Sequence, residues 1–284
     1  MKKIISAAVL GCMVMGLTAC GGTKTADNDK LQVYTSFYAM YDITREIAGD
    51  KADVYSMCPV GTEPHDYEPK TTDMAKLTEA DVFIYNGGGM ESWAEKAAAT
   101  LKDVKVVAAS DIVDKQENSD PHIWLYPMNA LKEAETVKNA LSEKDTGNSG
   151  TYEANYEVFK NKINELDAKY KAMAETSANK DIVVAHEAYG YLCTAYGLNQ
   201  IAVESVQGGE PSPTRMAEIV NIMKEKNIRY ICAEELESSK AVETIANETG
   251  AETVDLNPFE GDTEDRSYFE VMEDNLVVLK KILN

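Results

Sequence analysis

The chain holds only three histidines in 284 residues, and their settings invite a common explanation. His65 lies in "TEPHDYEP", between Pro64 and Asp66. His122 lies in "DPHIWLYP", another proline-bracketed loop. His186 directly follows the apolar run "DIVVA". A lone histidine is most often a surface group or a satisfied core residue. Three of three at loop positions facing one expected cleft fit that reading poorly. Imidazole is the commonest protein metal ligand, and the flanking prolines would hold two of the loops in place before an ion arrives, lowering the ordering cost of binding. Other chemistry has weaker support. "NGGGM" lacks both the GxGxxG spacing and a P-loop lysine, and reads as a turn packed near the cleft. "HEAYG" is not HExxH, because Gly190 stands where the second histidine would be. There is no GxSxG and no paired Cys–His signature. "AEELES" reads as a solvated acidic loop after a strand, with Glu234 or Glu235 able to reach a ligand from behind. Tyr189 and Tyr191 read as core or cleft wall.

The elements that must position these loops are legible. "LQVYTS", "ADVYSM", "DVFIYN" and "VKVVAA" are strand-like, as are "DIVVAH", "IRYICAE" and "AETVDL" further on. Helical patterns separate them. In "PSPTRMAEIVNIMKEKN" the residues Met216, Ile219, Val220 and Met223 keep helical spacing behind an initial proline. "SKAVETIANETG" closes on Gly250, a C-cap glycine. Strand–helix–strand alternation in both halves predicts an α/β fold of two lobes, each a parallel sheet covered by helices. His65 and His186 then fall beyond the carboxyl ends of strands, where open α/β sheets bind ligands.

Between the halves, "KDTGNSG" breaks the chain. Tyr152, Tyr156, Phe159, Ile163, Leu166, Tyr170 and Met173 then follow at spacings of four and three. This is one apolar stripe on a helix of some 25 residues, roughly 38 Å long. It ends where "ANKD" opens the second half, so it reads as a helix packed along both lobes rather than a coiled-coil partner. A single helix between lobes is a stiff connector and implies small hinge motion.

The N-terminus sets the compartment. "MKKIISAAVLGCMVMGLTAC" combines Lys2 and Lys3, an apolar run too short to span a bilayer as a helix, and small residues ending at Cys20. The pattern resembles a bacterial lipoprotein signal, in which Cys20 would carry lipid. "GGTKTADNDK" reads as a flexible tether. The expected division is a leader at 1–19, a tether at 20–30, a first lobe at 31–148, a connecting helix at 149–178 and a second lobe at 179–284. Removing the leader leaves 26 basic against 48 acidic side chains. Such a chain repels nucleic acid and anionic lipid, so membrane attachment must come from lipid rather than from a basic face. Cys58, Cys193 and Cys232 remain, with no CxxC spacing, and read as buried thiols.

Four ordered motifs carry a resemblance over nearly all of the chain after the leader. They are "GTEPHDYEPKTTDMAKLTEADVFIYNGGGMESW", "DPHIWLYP", "VVAHEAYGYLCTAYGL" and "LNPFEGDTEDRSYFEVMEDNL". The chain resembles the metal-binding lipoproteins of ABC importers for zinc and manganese. That resemblance implies two α/β lobes joined by one long helix, with the metal in the cleft between them. It implies His65, His122 and His186 as ligands from the first three motifs. The third motif often carries glutamate in manganese-type members, so His186 favours zinc. In the fourth motif many members place aspartate where this chain has Asn257, whereas zinc-type members reading L-N-P-hydrophobic-Glu use the glutamate, here Glu260. Asp255 and Asp262 are the other carboxylates nearby. Asp255 lies in a strand whose pleat fixes its direction, and Asp262 follows Gly261 in what reads as an exposed turn. The segment "IVDKQENSD" lacks the histidine-rich loop of many zinc-type relatives, which argues against a second, low-affinity site.

Three imidazoles and a carboxylate make a closed tetrahedral set suited to zinc, whereas manganese favours more oxygen. The expectation is an extracytoplasmic, monomeric, lipid-anchored protein that captures Zn2+ and passes it to an ABC permease, with Mn2+ as the alternative cargo. A zinc hydrolase would need an open position for water and a general base. A surface adhesin would need an exposed aromatic or apolar patch, which the sequence does not display.

Overall fold

The computed structural model describes residues 30–114, 120–206, 209–234, 236, 240–261 and 265–284. The leader, Cys20, nearly all of the tether, Glu235 and Asp262 lie outside the described residues.

The first lobe is a four-stranded parallel sheet in the order β2-β1-β3-β4, built from β1 (Leu31–Thr35), β2 (Ala52–Ser56), β3 (Val82–Tyr85) and β4 (Lys105–Ala108). Helices α1 (Tyr38–Ala48), α2 (Thr71–Leu77) and α3 (Ser92–Ala98) connect these strands, and α4 (Pro127–Lys144) closes the lobe. The second lobe repeats the arrangement with β5 (Asp181–Val184), β6 (Asn199–Ala202), β7 (Tyr230–Ala233) and β8 (Glu252–Asp255), in the order β6-β5-β7-β8 and again all parallel. All seven strand-like runs of the sequence are strands. The eighth, β6, reads "NQIA" and carries too little apolar or β-branched signal to stand out.

Between the lobes runs α5, Ser149–Thr176, 28 residues and about 42 Å long. Every residue of the predicted stripe, from Tyr152 to Met173, is buried on it. The helix packs on α1 and α4 of the first lobe. On the second lobe it meets α6 (Gly190–Tyr196) and α9 (Tyr268–Ile282). One continuous apolar cluster therefore includes Val33 and Val82 of the first sheet, the α5 stripe, and Ile182 and Cys232 of the second. Smaller clusters fill the outer side of each sheet, the second of them beneath α7 (Pro213–Lys226) and α8 (Lys240–Thr249). Cys58, Cys193 and Cys232 are buried free thiols. No helix among the described residues is long and apolar enough to cross a membrane.

Candidate metal centre

Each lobe sends two side chains into the space between them. His65 sits in the loop between β2 and α2, where its backbone N–H donates to Glu63 Oε1 at 3.0 Å. His122 stands just before a short 3-10 turn, Ile123–Leu125, that leads into α4. Its loop is held from behind: Asn86 Nδ2 donates to the Pro121 carbonyl at 2.9 Å. Asn86 opens the "NGGGM" turn, in which Gly87, Gly88 and Gly89 all have positive φ (82°, 68° and 94°), a run that residues with a Cβ adopt only under strain. His186 lies two residues beyond β5. Glu260 follows β8 through Leu256, Asn257, Pro258 and Phe259.

The four side chains meet head on. His122 Nε2 stands 3.1 Å from His65 Nε2 and 3.2 Å from His186 Nε2. Glu260 Oε1 lies 3.0, 3.7 and 4.0 Å from the Nε2 atoms of His122, His186 and His65. All four ligand atoms fall within 4.8 Å of one another. A tetrahedron with metal–ligand bonds of ~2.0–2.1 Å has edges of roughly 3.3–3.4 Å, so the separations bracket what a zinc-sized ion needs. Glu260 Oε1 is buried and has no hydrogen-bond partner among the described residues, which leaves its lone pairs for a cation.

Two of the imidazoles are oriented by carboxylates. His122 Nδ1 is 2.8 Å from Asp120 Oδ1, which also accepts the His122 backbone N–H at 2.9 Å. His186 Nδ1 is 2.6 Å from Glu234 Oε2. An ionised carboxylate only accepts, so Nδ1–H donates in each pair and the Nε2 lone pair faces the centre, the arrangement that fixes tautomer and raises ligand basicity in metal sites. His65 differs: its Nδ1 is buried and has no hydrogen-bond partner among the described residues.

The electrostatics follow from these contacts. Burial pulls His65 down to about 4, against a smaller upward pull from Glu260, so this ring is neutral at ordinary pH. Burial also works against protonation of His122, but the Asp120 and Glu260 carboxylates outweigh it and raise that ring above its usual value. Glu260 is pushed up by burial, yet the three imidazoles, His122 foremost, bring it down to about 2. Burial raises Glu234, with His186 opposing. Asp120, Glu234 and Glu260 are each at most 7% exposed. Three carboxylates buried this deeply are costly without a countercharge, and a divalent cation among them would supply one.

Sequence reasoning thus named the four convergent side chains and underread their supports. Glu234, read mainly as part of a solvated loop, is buried and bonded to His186. Asp120 was not singled out at all, although its place two residues before His122 was a usable hint. Asp255 ends β8 exposed and is not one of the four side chains that converge. Asn257 shapes the turn, its Oδ1 accepting the Phe259 N–H at 2.7 Å. Asp262 lies outside the described residues.

Comparison with known proteins places this geometry. Residues 33–282 match the family model described as ZnuA, zinc-uptake complex component A, periplasmic. The chain belongs to that family. The family component serves solute uptake, and its match spans both lobes and the connecting helix. Among relatives, the high-affinity zinc uptake system protein ZnuA of Bacillus subtilis is 34% identical over 313 residues, covering 99% of this chain and 98% of that one. The Zn(II)-bound ZnuA-like domain of Streptococcus pneumoniae AdcA superimposes with a TM-score of 0.81 at 37% identity, covering 89% of this chain and 99% of that domain. The chain spans only 61% of the zinc-binding lipoprotein AdcA of that species, at 36% identity. The laminin-binding protein Lmb of Streptococcus agalactiae, described as having adhesin and metal-transporting activity, superimposes with a TM-score of 0.85 at 32% identity, covering 89% of this chain and all of that one.

Proposed function

We propose that this protein captures Zn2+ through His65, His122, His186 and Glu260 and hands it to an ABC-type permease. The observation that carries the reading is the convergence of three Nε2 atoms and one carboxylate oxygen, with two rings turned inward by Asp120 and Glu234. Three nitrogens and one oxygen suit zinc, whereas manganese favours an oxygen-richer shell. Family membership and the zinc named in relatives support the same cargo. Four protein ligands leave no fourth position for an attacking water, which favours binding over hydrolysis. The division into leader, tether, lobes and connector follows the sequence boundaries given above. Lipid on Cys20 would hold a monomer at the outer face of the membrane within reach of the permease. Adhesion, an activity described for the S. agalactiae relative, has less support. The exposed large apolar residues Tyr55, Val60, Ile112, Val158 and Val277 come from separate elements.

Metal analysis of protein purified without added metal, followed by competitive titration of Zn2+ against Mn2+, tests the reading. Zinc at about 1,000 times its Kd stabilises the fold by roughly 4 kcal/mol, so it should raise Tm by several degrees and a chelator should reverse the shift. Equal shifts from Mn2+ at equal concentration would sink the zinc assignment.

A further inference from the structure

Glu260 reaches the centre from a backbone that would not hold its shape alone. Phe259, the residue before it, has φ of 60°, a left-handed conformation rare and strained for a bulky residue. Such a conformation persists only where its surroundings over-determine it. The surroundings here come largely from the other lobe. Trp124, fully buried, donates its indole N–H to the Pro258 carbonyl at 2.8 Å across 134 residues of sequence. Its ring centroid is 5.5 Å from that of His122, and its own carbonyl accepts Tyr268 O–H at 2.9 Å. Tyr268 is held in turn by Asp42 of α1, whose Oδ2 accepts the Tyr268 N–H at 2.7 Å. The Phe259 ring packs edge-on to Tyr38 of α1 and to Tyr268, at 5.3 and 5.7 Å.

From these contacts we infer that Trp124 is a positioning residue that sets Glu260 on the metal from across the lobe interface, through the Pro258 carbonyl. The inference rests on Glu260 being a ligand. The contacts within the second lobe fix where the segment starts: Tyr189 O–H donates to the Leu256 carbonyl, and Asn275 pairs with the Asn257 backbone at 2.9 and 2.7 Å. Asn257 Oδ1 accepts the N–H of the next peptide, from Phe259, at 2.7 Å. The indole N–H holds the carbonyl of that same peptide and is the bond that reaches it from across the interface. With that bond gone, Phe259 can relax to negative φ, and the Glu260 carboxylate swings off the centre. Trp124 also borders His122, so one side chain registers the first-lobe ligand against the second-lobe carboxylate.

The test is a double-mutant cycle on the full chain, read by competitive Zn2+ titration and by the visible absorption of the Co2+-loaded protein. Trp124 is replaced by Phe and, separately, by β-(3-benzothienyl)alanine, which keeps the bicyclic shape and lacks the N–H. The analogue carries the test if W124F fails to fold. Losing one buried hydrogen bond corresponds to a roughly three- to tenfold weakening, and E260Q alone should cost at least about tenfold. In the E260Q background the Trp124 replacement should cost almost nothing more, because both changes act on one ligand. The Co2+ spectrum of the Trp124 variant should shift toward that of E260Q. Additive losses, or an unchanged Co2+ spectrum, overturn the inference while leaving Glu260 a ligand. An E260Q protein that binds zinc like the parent overturns the ligand assignment itself, and the inference falls with it.

Discussion

The two lobes share a strand order and use it differently. In each, the chain leaves the central pair of strands in opposite directions, which opens a crevice at their carboxyl ends, between β1 and β3 in the first lobe and between β5 and β7 in the second. The second lobe puts metal chemistry there: His186 follows β5, Glu234 follows β7, and the two are bonded to each other. The first lobe fills its crevice with a structural hub. Glu91, buried, accepts Ser36 Oγ–H from the end of β1, the Asn86 N–H at 2.8 Å and the Gly87 N–H at 3.1 Å from the end of β3. Its metal-directed histidines come from farther out, His65 after β2 and His122 well beyond β4. The difference teaches that topology offers a crevice and the side chains at the strand ends decide its use. In the first lobe the crevice holds a loop, through Glu91, Asn86 and the Pro121 carbonyl, and the loop holds the histidine.

The largest effect should come from a ligand at the second crevice. His186→Ala removes one of four donors, and zinc affinity should fall by at least about 100-fold in competition with a chromophoric chelator. A smaller loss would mean that the second crevice is not where the ion is held.

Acid should come next. A proton on His122 must leave before Nε2 can bind metal, and its raised pKa makes this competition begin at higher pH than for an ordinary histidine. Zinc affinity should therefore weaken by well over tenfold between pH 7.5 and 5.5, measured by titration at fixed ionic strength. His65 adds an effect on the apo fold. Its pKa is depressed to about 4 from 6.5, so between those values the unfolded chain binds the proton that the folded chain refuses. Stability contributed by His65 is thus lost as pH falls through that window, and a flat apo Tm from pH 6.5 to 4.5 would contradict the burial of this ring.

Glu234→Gln and Glu91→Gln separate the two crevices directly. Glu234→Gln removes the charge that orients His186, and affinity should fall by about 10–100-fold with little change in apo Tm. Asp120→Asn should behave alike for His122. Glu91→Gln keeps one acceptor oxygen for Ser36 and Asn86 but sets an amide NH2, which cannot accept, against the Gly87 N–H; a buried donor left unpaired costs about 1–3 kcal/mol, so it should lower apo Tm by several degrees and change affinity less than Glu234→Gln. The reverse pattern would erase the distinction between chemical and structural crevice. The smallest effect belongs to Asp255→Asn, at the exposed end of β8, where zinc affinity should stay within about twofold.

How much of this was legible depended on how local each signal was. The α5 stripe was readable residue by residue, because a 3.6-residue period reports burial directly. The strand runs and the three histidines were readable from composition and loop setting. Glu234 was named only as one of two acids able to reach a ligand from behind, since nothing in the spacing marks one acidic residue among 48 as buried. Trp124 was less legible still. Its partner lies 134 residues away, and a side-chain-to-carbonyl bond leaves no periodic trace. Asn257 looked like a weakened ligand because its chemistry was judged without its turn, in which its amide oxygen caps Phe259.

The shared helix has a further consequence, for how the molecule comes apart. Tyr152 and Phe159 belong to the same apolar cluster as Tyr170 and Met173, and that cluster reaches both sheets without interruption. Neither half owns a complete interior. Cutting the chain at either end of α5 would strip one half of the helix that closes it and expose on the other a stripe with nothing to cover it. The lobes should therefore melt together, in one calorimetric transition, and a protease that nicks the loops should release no stable single lobe.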